Sequence, residues 1–285
     1  MSVWQFVRDT ATERREFTKN LEITPLSRIP AATDTSLEKN RWYRVDEAVA
    51  VYADLKGSTN LSAQRQARVM AKIYELFTGA WISTLRAMKS GFIDIKGDGG
   101  FGLFYGKAGV AQAVLAAVTF RTIVKCELKA TVNNMLADIE GVENWELSAK
   151  VGIHKGPLLV KRVGERNTTK HTLNWLVWVG KPVNYAAKLS SLAGPDELLV
   201  TAPVYEVITG KDVLRTHLER SCGCGNKGLP IELWTTLSEE HEAVKLTSYT
   251  VYKLGSFWCD QHGDEYFSAV KEYIEKKVSI KLDIG

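Results

Sequence analysis

The sequence predicts an α+β fold in which helices pack on one sheet that contains antiparallel hairpins. Long stretches with apolar residues at helical spacing alternate with shorter apolar runs of strand type. Two of those runs are joined by a tight glycine turn, KGDGG at residues 96–100. Helices that alternate with hairpins, rather than with single crossover strands, argue against a doubly wound parallel sheet. The 285 residues, 45% hydrophobic and 25% charged, suffice for a sizeable core.

The elements follow in order. Residues 1–40 open with a charged amphipathic segment and end in TPLSRIPAATDTSLEKN, whose Pro, Ser and Thr content reads as a linker, so this zone is an expected N-terminal extension. Residues 41–238 form the expected main domain. Within it EAVAVYADL (47–55) is a strand, residues 62–88 a long helix, and GFIDIKGDGGFGLFYG (91–106) a hairpin turning at Gly97 to Gly100. Residues 107–128 are again helical, 145–163 read as two strands around a His-Lys-Gly turn, and KPVNYAAKLSSLA (181–193) opens a further helix. DELLVTAPVYEVI gives a strand and a short helix, and GLPIELWTTL (228–237) a last strand. Residues 239–285 are a mixed C-terminal extension.

A net charge of +4 without the dense basic runs of a nucleic-acid arm fits a small anionic ligand as well as a polynucleotide, and no stable nucleic-acid partner is expected. No run approaches the length of unbroken apolar sequence that a bilayer span needs, and the N-terminus lacks a signal peptide's apolar centre, so the expected location is the cytoplasm, away from a membrane. Four cysteines are too few for a disulfide scaffold and read as reduced thiols or metal ligands. Cys222 and Cys224 form a C-x-C, Cys259 and His262 a C-x-x-H; reduced, partly buried thiols are the favoured reading, and a tetrahedral Zn²⁺ site joining tail to core is the alternative.

The chemistry concentrates at the strand ends. Asp54 ends an apolar strand and precedes the turn Gly57, Ser58, Thr59, where backbone N–H groups converge at a helix start and favour phosphate. Asp98 lies in the glycine turn of the hairpin, where the backbone can approach a ligand closely. Each alone also fits a helix cap or a turn residue. Together, beside an anion nest, they suit two divalent cations, Mg²⁺ or Mn²⁺, carrying a triphosphate.

VYADLKGSTNLS, IDIKGDGGFGLF, VGIHKGPLLVKRVG and VWVGKPVNYAAKLSSLAG, in that order, resemble the successive signature segments of class III nucleotidyl cyclase catalytic domains, over about residues 45–237. The resemblance implies a ferredoxin-like βαββαβ palm core and a head-to-tail homodimer with sites at its interface. It implies that Asp54, Asp98 and the Leu55 carbonyl hold two metal ions, and that a ribose 3′-hydroxyl attacks the α-phosphate as pyrophosphate leaves. Asn184 matches the family's transition-state asparagine. Lys188 stands four residues on, where the family has arginine, and supplies charge without a bidentate fork; a solvated helix lysine is the alternative. Lys227 resembles a phosphate-binding lysine and also fits a plain turn residue.

At the positions that read the base, adenylyl cyclases carry Lys and Asp and guanylyl cyclases Glu and Cys; this chain has Asp94 and Val177. Asp94 accepts from an N–H such as uracil N3 or cytosine N4, and Val177 offers no hydrogen bond. Tyr52 adds bulk that favours a single-ring base, or is a half-buried strand tyrosine. The combination is similar to the bacterial pyrimidine cyclases of Pycsar antiphage systems, which implies UTP as substrate and a cyclic UMP product acting on a separate effector. CTP, a purine triphosphate, and a nucleotide-sensing module without turnover are the alternatives. Another palm enzyme is disfavoured because KGDGGFG lacks the Gly-Gly-Asp/Glu-Glu-Phe order. His154, in GIHKG, reads as structural.

Overall fold

The computed structural model describes residues 2–16, 18, 21–34, 36–38, 41–58, 67–137, 145–164, 174–279 and 281–283. One mixed sheet organises them. Its strands are β1 (Glu22–Pro25), β2 (Arg41–Leu55), β3 (Phe92–Lys96), β4 (Gly99–Tyr105), β5 (Ala149–Gly164), β6 (Asn174–Val179), β7 (Leu198–Thr201), β8 (Trp234–Thr236) and β9 (Val251–Leu254), in the order β3-β4-β2-β5-β7-β9-β8, with β1 beside β2 and β6 beside β5. The four strands β5-β2-β4-β3 pair antiparallel, and helices link β2 to β3 and β4 to β5. That is the ferredoxin-like palm expected from the sequence.

Alternation along β2 decides which layer covers which face. Val49, Val51, Ala53 and Leu55 join the main core, while Ala48, Ala50 and Tyr52 face a second, smaller cluster. The main core is closed by α2 (Ala67–Ala87) and α3 (Gly106–Thr122). Helix α2 buries Met70, Ile73, Phe77, Trp81 and Thr84, the three-and-four spacing of an amphipathic helix. Phe77 and Trp81 meet Phe120 of α3 at ring-centroid distances of 5.0 and 4.8 Å, and the Trp81 indole N–H donates to the Gly100 carbonyl at 3.0 Å, tying α2 to the hairpin. Helix α3 is buried on all sides and runs on through a π-helical segment into α4 (Lys129–Leu136). By length and composition Gly106–Leu136 would cross a bilayer, yet 72% of its most apolar window is buried within the protein, as befits a core helix. Its one charged buried residue, Arg121, donates to the Asp196 carbonyl at 3.0 Å and lies 4.9 Å from the Phe257 ring centroid.

The second face is covered by α5 (Lys181–Leu192). Gly152 of β5 makes the approach tight, because a Cβ there would lie 2.2 Å from the Ala186 carbonyl oxygen and 2.6 Å from the Ser190 nitrogen. Beyond β7 come α6 (Ala202–Thr209), α7 (Asp212–Leu214), α8 (Glu242–Thr247) and α9 (Gly263–Val278).

Three expectations are corrected. Residues 149–164 are one continuous strand, not two around a His-Lys-Gly turn, because His154, Lys155 and Gly156 stay paired with Ala50, Val49 and Ala48 of β2 and Gly156 takes no left-handed turn. The stretch 24–40 is not a free linker: Ile29 and Leu37 are buried, the Leu26 N–H donates to the Arg44 carbonyl at 2.7 Å, and Arg162 reaches the Asp34 carbonyl at 2.7 Å. The strand expected at 228–237 shrinks to Trp234–Thr236 and joins the sheet only through β9, which lies between it and β7.

Candidate functional site

Asp54 and the glycine hairpin are brought together by strand register. Asp54 pairs with Gly99 across β2 and β4, next to Asp98 in the turn, and with Lys150 across β5. A Cβ on Gly99 would fall 2.6 Å from the Ala53 carbonyl oxygen and 2.9 Å from Asp54 Oδ1, so only glycine lets the strands meet here. Burial, and then the neighbouring Asp98 charge, push the Asp54 carboxyl up to about 6, partly opposed by Lys150 and by the Leu55 backbone N–H, which donates to it. Two carboxylates side by side at a strand end make an oxygen-donor set suited to hard divalent cations. The Gly57 turn lies against Trp145, whose indole nitrogen would sit 3.2 Å from a Cβ on Gly57. That buried N–H has no partner among the described residues and is a donor available to an anion at this turn. Ser58 is buried, and Thr59 lies outside the described residues.

On the same face of the sheet Tyr52 stacks on Phe101 at 6.4 Å, Phe101 packs on Phe92 at 5.9 Å, and Phe92 meets Trp178 at 5.0 Å. Asp94 pairs with Phe101 in the register and is held by Lys96 at 2.9 Å. The Tyr52 phenol is raised by burial and then by Asp54, Asp98 and Asp94. The sequence reading did not single out Phe92, Phe101, Trp178, Lys96 or Lys150. Alternation would have found the first two, since Phe92 and Asp94 share a face of β3 and Phe101 faces Tyr52. Val177 is not among this group: it is exposed on β6 and points to the side opposite Trp178.

Asn184 and Lys188 form a second, separate set. Both are exposed one turn apart on α5, and with Val179, Lys181 and Tyr185 they line an open groove. Lys227 belongs to neither set; it is exposed in a loop, with a left-handed backbone at φ 53°. Among the described residues no hydrogen bond or ion pair joins Asp54 or Asp98 directly to Asn184 or Lys188. His154 is buried between Tyr185 and Tyr249, with Nδ1 2.7 Å from Thr201 Oγ1, which fits the structural reading.

Comparison with known proteins agrees with this geometry. The adenylate and guanylate cyclase catalytic domain matches residues 41–225. A uridylate cyclase of Micromonospora echinofusca is 34% identical over 244 residues, covering 86% of this chain and 75% of that protein. A second uridylate cyclase, from Propioniciclava tarda, is 34% identical over 231 residues, with 79% and 71% covered. The fold is similar to that of the adenylyl cyclase CyaB from P. aeruginosa, with a TM-score of 0.53 at 18% identity over 75% of this chain and 95% of the other. With a palm core, paired strand-end carboxylates and a family match over most of its length, the chain belongs to the adenylate and guanylate cyclase catalytic-domain family and is a nucleotidyl cyclase.

Proposed function

We propose that the protein is a pyrimidine cyclase that converts UTP to 3′,5′-cyclic UMP and pyrophosphate as a homodimer. The observation that carries the reaction class is the pairing of Asp54 with the Asp98 turn, which sets two carboxylates side by side at one strand end. Divalent cations bound there, Mg²⁺ or Mn²⁺, would supply charge neutralisation at the phosphates and lower the pKa of the ribose 3′-hydroxyl. Asp54, Asp98 and the Leu55 carbonyl would hold them, and the backbone N–H groups of Gly57 and Ser58 would receive phosphate oxygens, with Thr59 assigned there from the sequence alone. The O3′–Pα bond forms as the bond from Pα to the bridging oxygen breaks. Asn184 orients the ribose, and Lys188 places a point charge beside the α-phosphate. Lys227 is assigned to the outer phosphates.

UTP is favoured by Asp94, which accepts from an N–H and matches neither purine code, and by two relatives named uridylate cyclase at 34% identity. Tyr52 and Phe92, half-buried on the face that carries Asp94, add bulk that suits a single ring. CTP is the second reading, since its exocyclic amine also donates to a carboxylate. The dimer is supported by the separation of the two residue sets and by the apolar side chains of Trp175, Val177 and Val179, exposed on β6 beside the Asn184 groove. The product would act on a separate effector in antiphage defence, with the enzyme in the cytoplasm.

The test is to incubate the protein with Mn²⁺ and each of ATP, GTP, CTP and UTP, and to identify products by chromatography and mass spectrometry. Cyclic UMP from UTP, lost in both Asp54→Asn and Asp98→Asn, is expected. A purine product alone overturns the base assignment, and full turnover in both variants overturns the two-carboxylate site.

A further inference from the structure

Four metal-binding side chains converge well outside the sets described above. Cys222 and Cys224 come from the loop before β8, Cys259 and His262 from the segment between β9 and α9, and their ligand atoms all lie within 4.8 Å of one another. Cys224 Sγ is 2.8 Å from His262 Nδ1, and no cysteine is in a disulfide. The loop is shaped to aim both thiols at one point. Gly223, between them, has φ +83°, and its carbonyl accepts from the Asn226 and Gly228 N–H groups at 2.9 Å each. A Cβ on Gly223 would meet the Gly228 carbonyl carbon at 2.7 Å, so no other residue closes this turn without displacing it. On the other side, the Gly263 N–H donates to the Cys259 carbonyl at 2.7 Å, closing the turn that carries Cys259 and His262.

We propose that Cys222, Cys224, Cys259 and His262 bind one structural Zn²⁺ that clasps the segment leading into α9 to the loop before β8. Three thiolates and an imidazole are soft ligands that select zinc over the hard Mg²⁺ or Mn²⁺ of a carboxylate site. The protein fills all four tetrahedral positions, leaving none for water or substrate, which is the mark of a structural rather than a catalytic ion. Ligand–ligand edges of such a tetrahedron are about 3.5–3.8 Å, so the donors need move only about an ångström to close on the metal. Cys224 is exposed and the other three are half-buried. Around them Tyr266 meets the His217 ring at 4.9 Å, and Gln261 Oε1 lies 3.5 Å from Cys224 Sγ, supplying a shell that fixes the ligands. Lys227 follows Cys224 by three residues, so the ion also fixes the backbone of that loop. The site does not depend on the cyclase reading.

Elemental analysis of the full chain, purified without added metal or chelating resin, is the test, and its readout is independent of activity. About one zinc per chain is expected, falling at least tenfold in His262→Ala and in Cys224→Ser, and unchanged in Cys126→Ser and in Asp54→Asn. Removing the ion with an organomercurial and chelator should release three reactive thiols beyond the already exposed Cys126, lower Tm and open the 255–262 segment to proteolysis, all reversed by zinc. Replacement with Co²⁺ should give the visible absorption of a tetrahedral thiolate centre, a readout that stands if the variants fail to fold. Zinc below about a tenth of an equivalent, with Cys222, Cys224 and Cys259 reacting freely or found in a disulfide, overturns the proposal, as does full zinc retention by a folded His262→Ala.

Discussion

Asp54 and His154 both leave their usual protonation ranges because burial opposes charge, and they move in opposite directions. The carboxyl rises to about 6, whereas the imidazole falls to about 4, with Lys181 adding to the effect of burial. For His154 the folded chain holds fewer protons than the unfolded chain between pH about 4 and 6.5, so stability is full above 6.5 and is lost as pH falls through that window. The loss amounts to about 2–3 kcal/mol, or several degrees in Tm. Thermal melts of His154→Gln, which keeps a hydrogen-bonding group near Thr201 but does not titrate there, should lose that acid-dependent part; an unchanged pH profile would assign it to other groups. At this scale the sequence placed Asp54 at a strand end and Asp98 in a glycine turn, where the structure has them, because turn chemistry is local. It was silent on Lys150 and Trp178, which reach the site region through partners far along the chain.

Among the elements, α5 and β5 show what glycine spacing hides. The His-Lys-Gly stretch 154–156 reads as a turn, yet it continues β5, and only the helix lying on β5 reveals that Gly152 serves contact between layers. A methyl at Gly152 must push α5 away from the sheet. Gly152→Ala should therefore cost about 1–3 kcal/mol in denaturant unfolding, and cut turnover on the order of 10²-fold by displacing Asn184 and Lys188. Gly156→Ala, whose Cβ would meet His154 Nε2 at 3.5 Å and Pro182 at 3.8 Å, should be tolerated. Equal losses in the two variants would remove the packing explanation. Helices α2 and α3 were legible because their apolar spacing extends over many turns, while β8 was overread because a run of apolar residues does not reveal how few of them pair.

For the whole molecule, the separation of Asp54 and Asp98 from Asn184 and Lys188 has an assembly consequence. If each site draws on two chains, a mixture of Asp54→Ala and Asn184→Ala proteins, each inactive alone, should regain up to about a quarter of wild-type turnover, because half of the dimers are mixed and each of those holds one intact site. Failure to complement, with subunit exchange verified, would mean that one chain holds every group it uses. The tail was called an extension from its composition, yet β9 lies between β7 and β8 in the sheet. On the ribosome this imposes an order of assembly. The palm strands can pair while residues 251–278 are still being made, but β8 has no sheet to join until β9 emerges. A nascent or truncated chain is thus a palm with an open edge at β7, and completion of that edge reports that translation has passed β9.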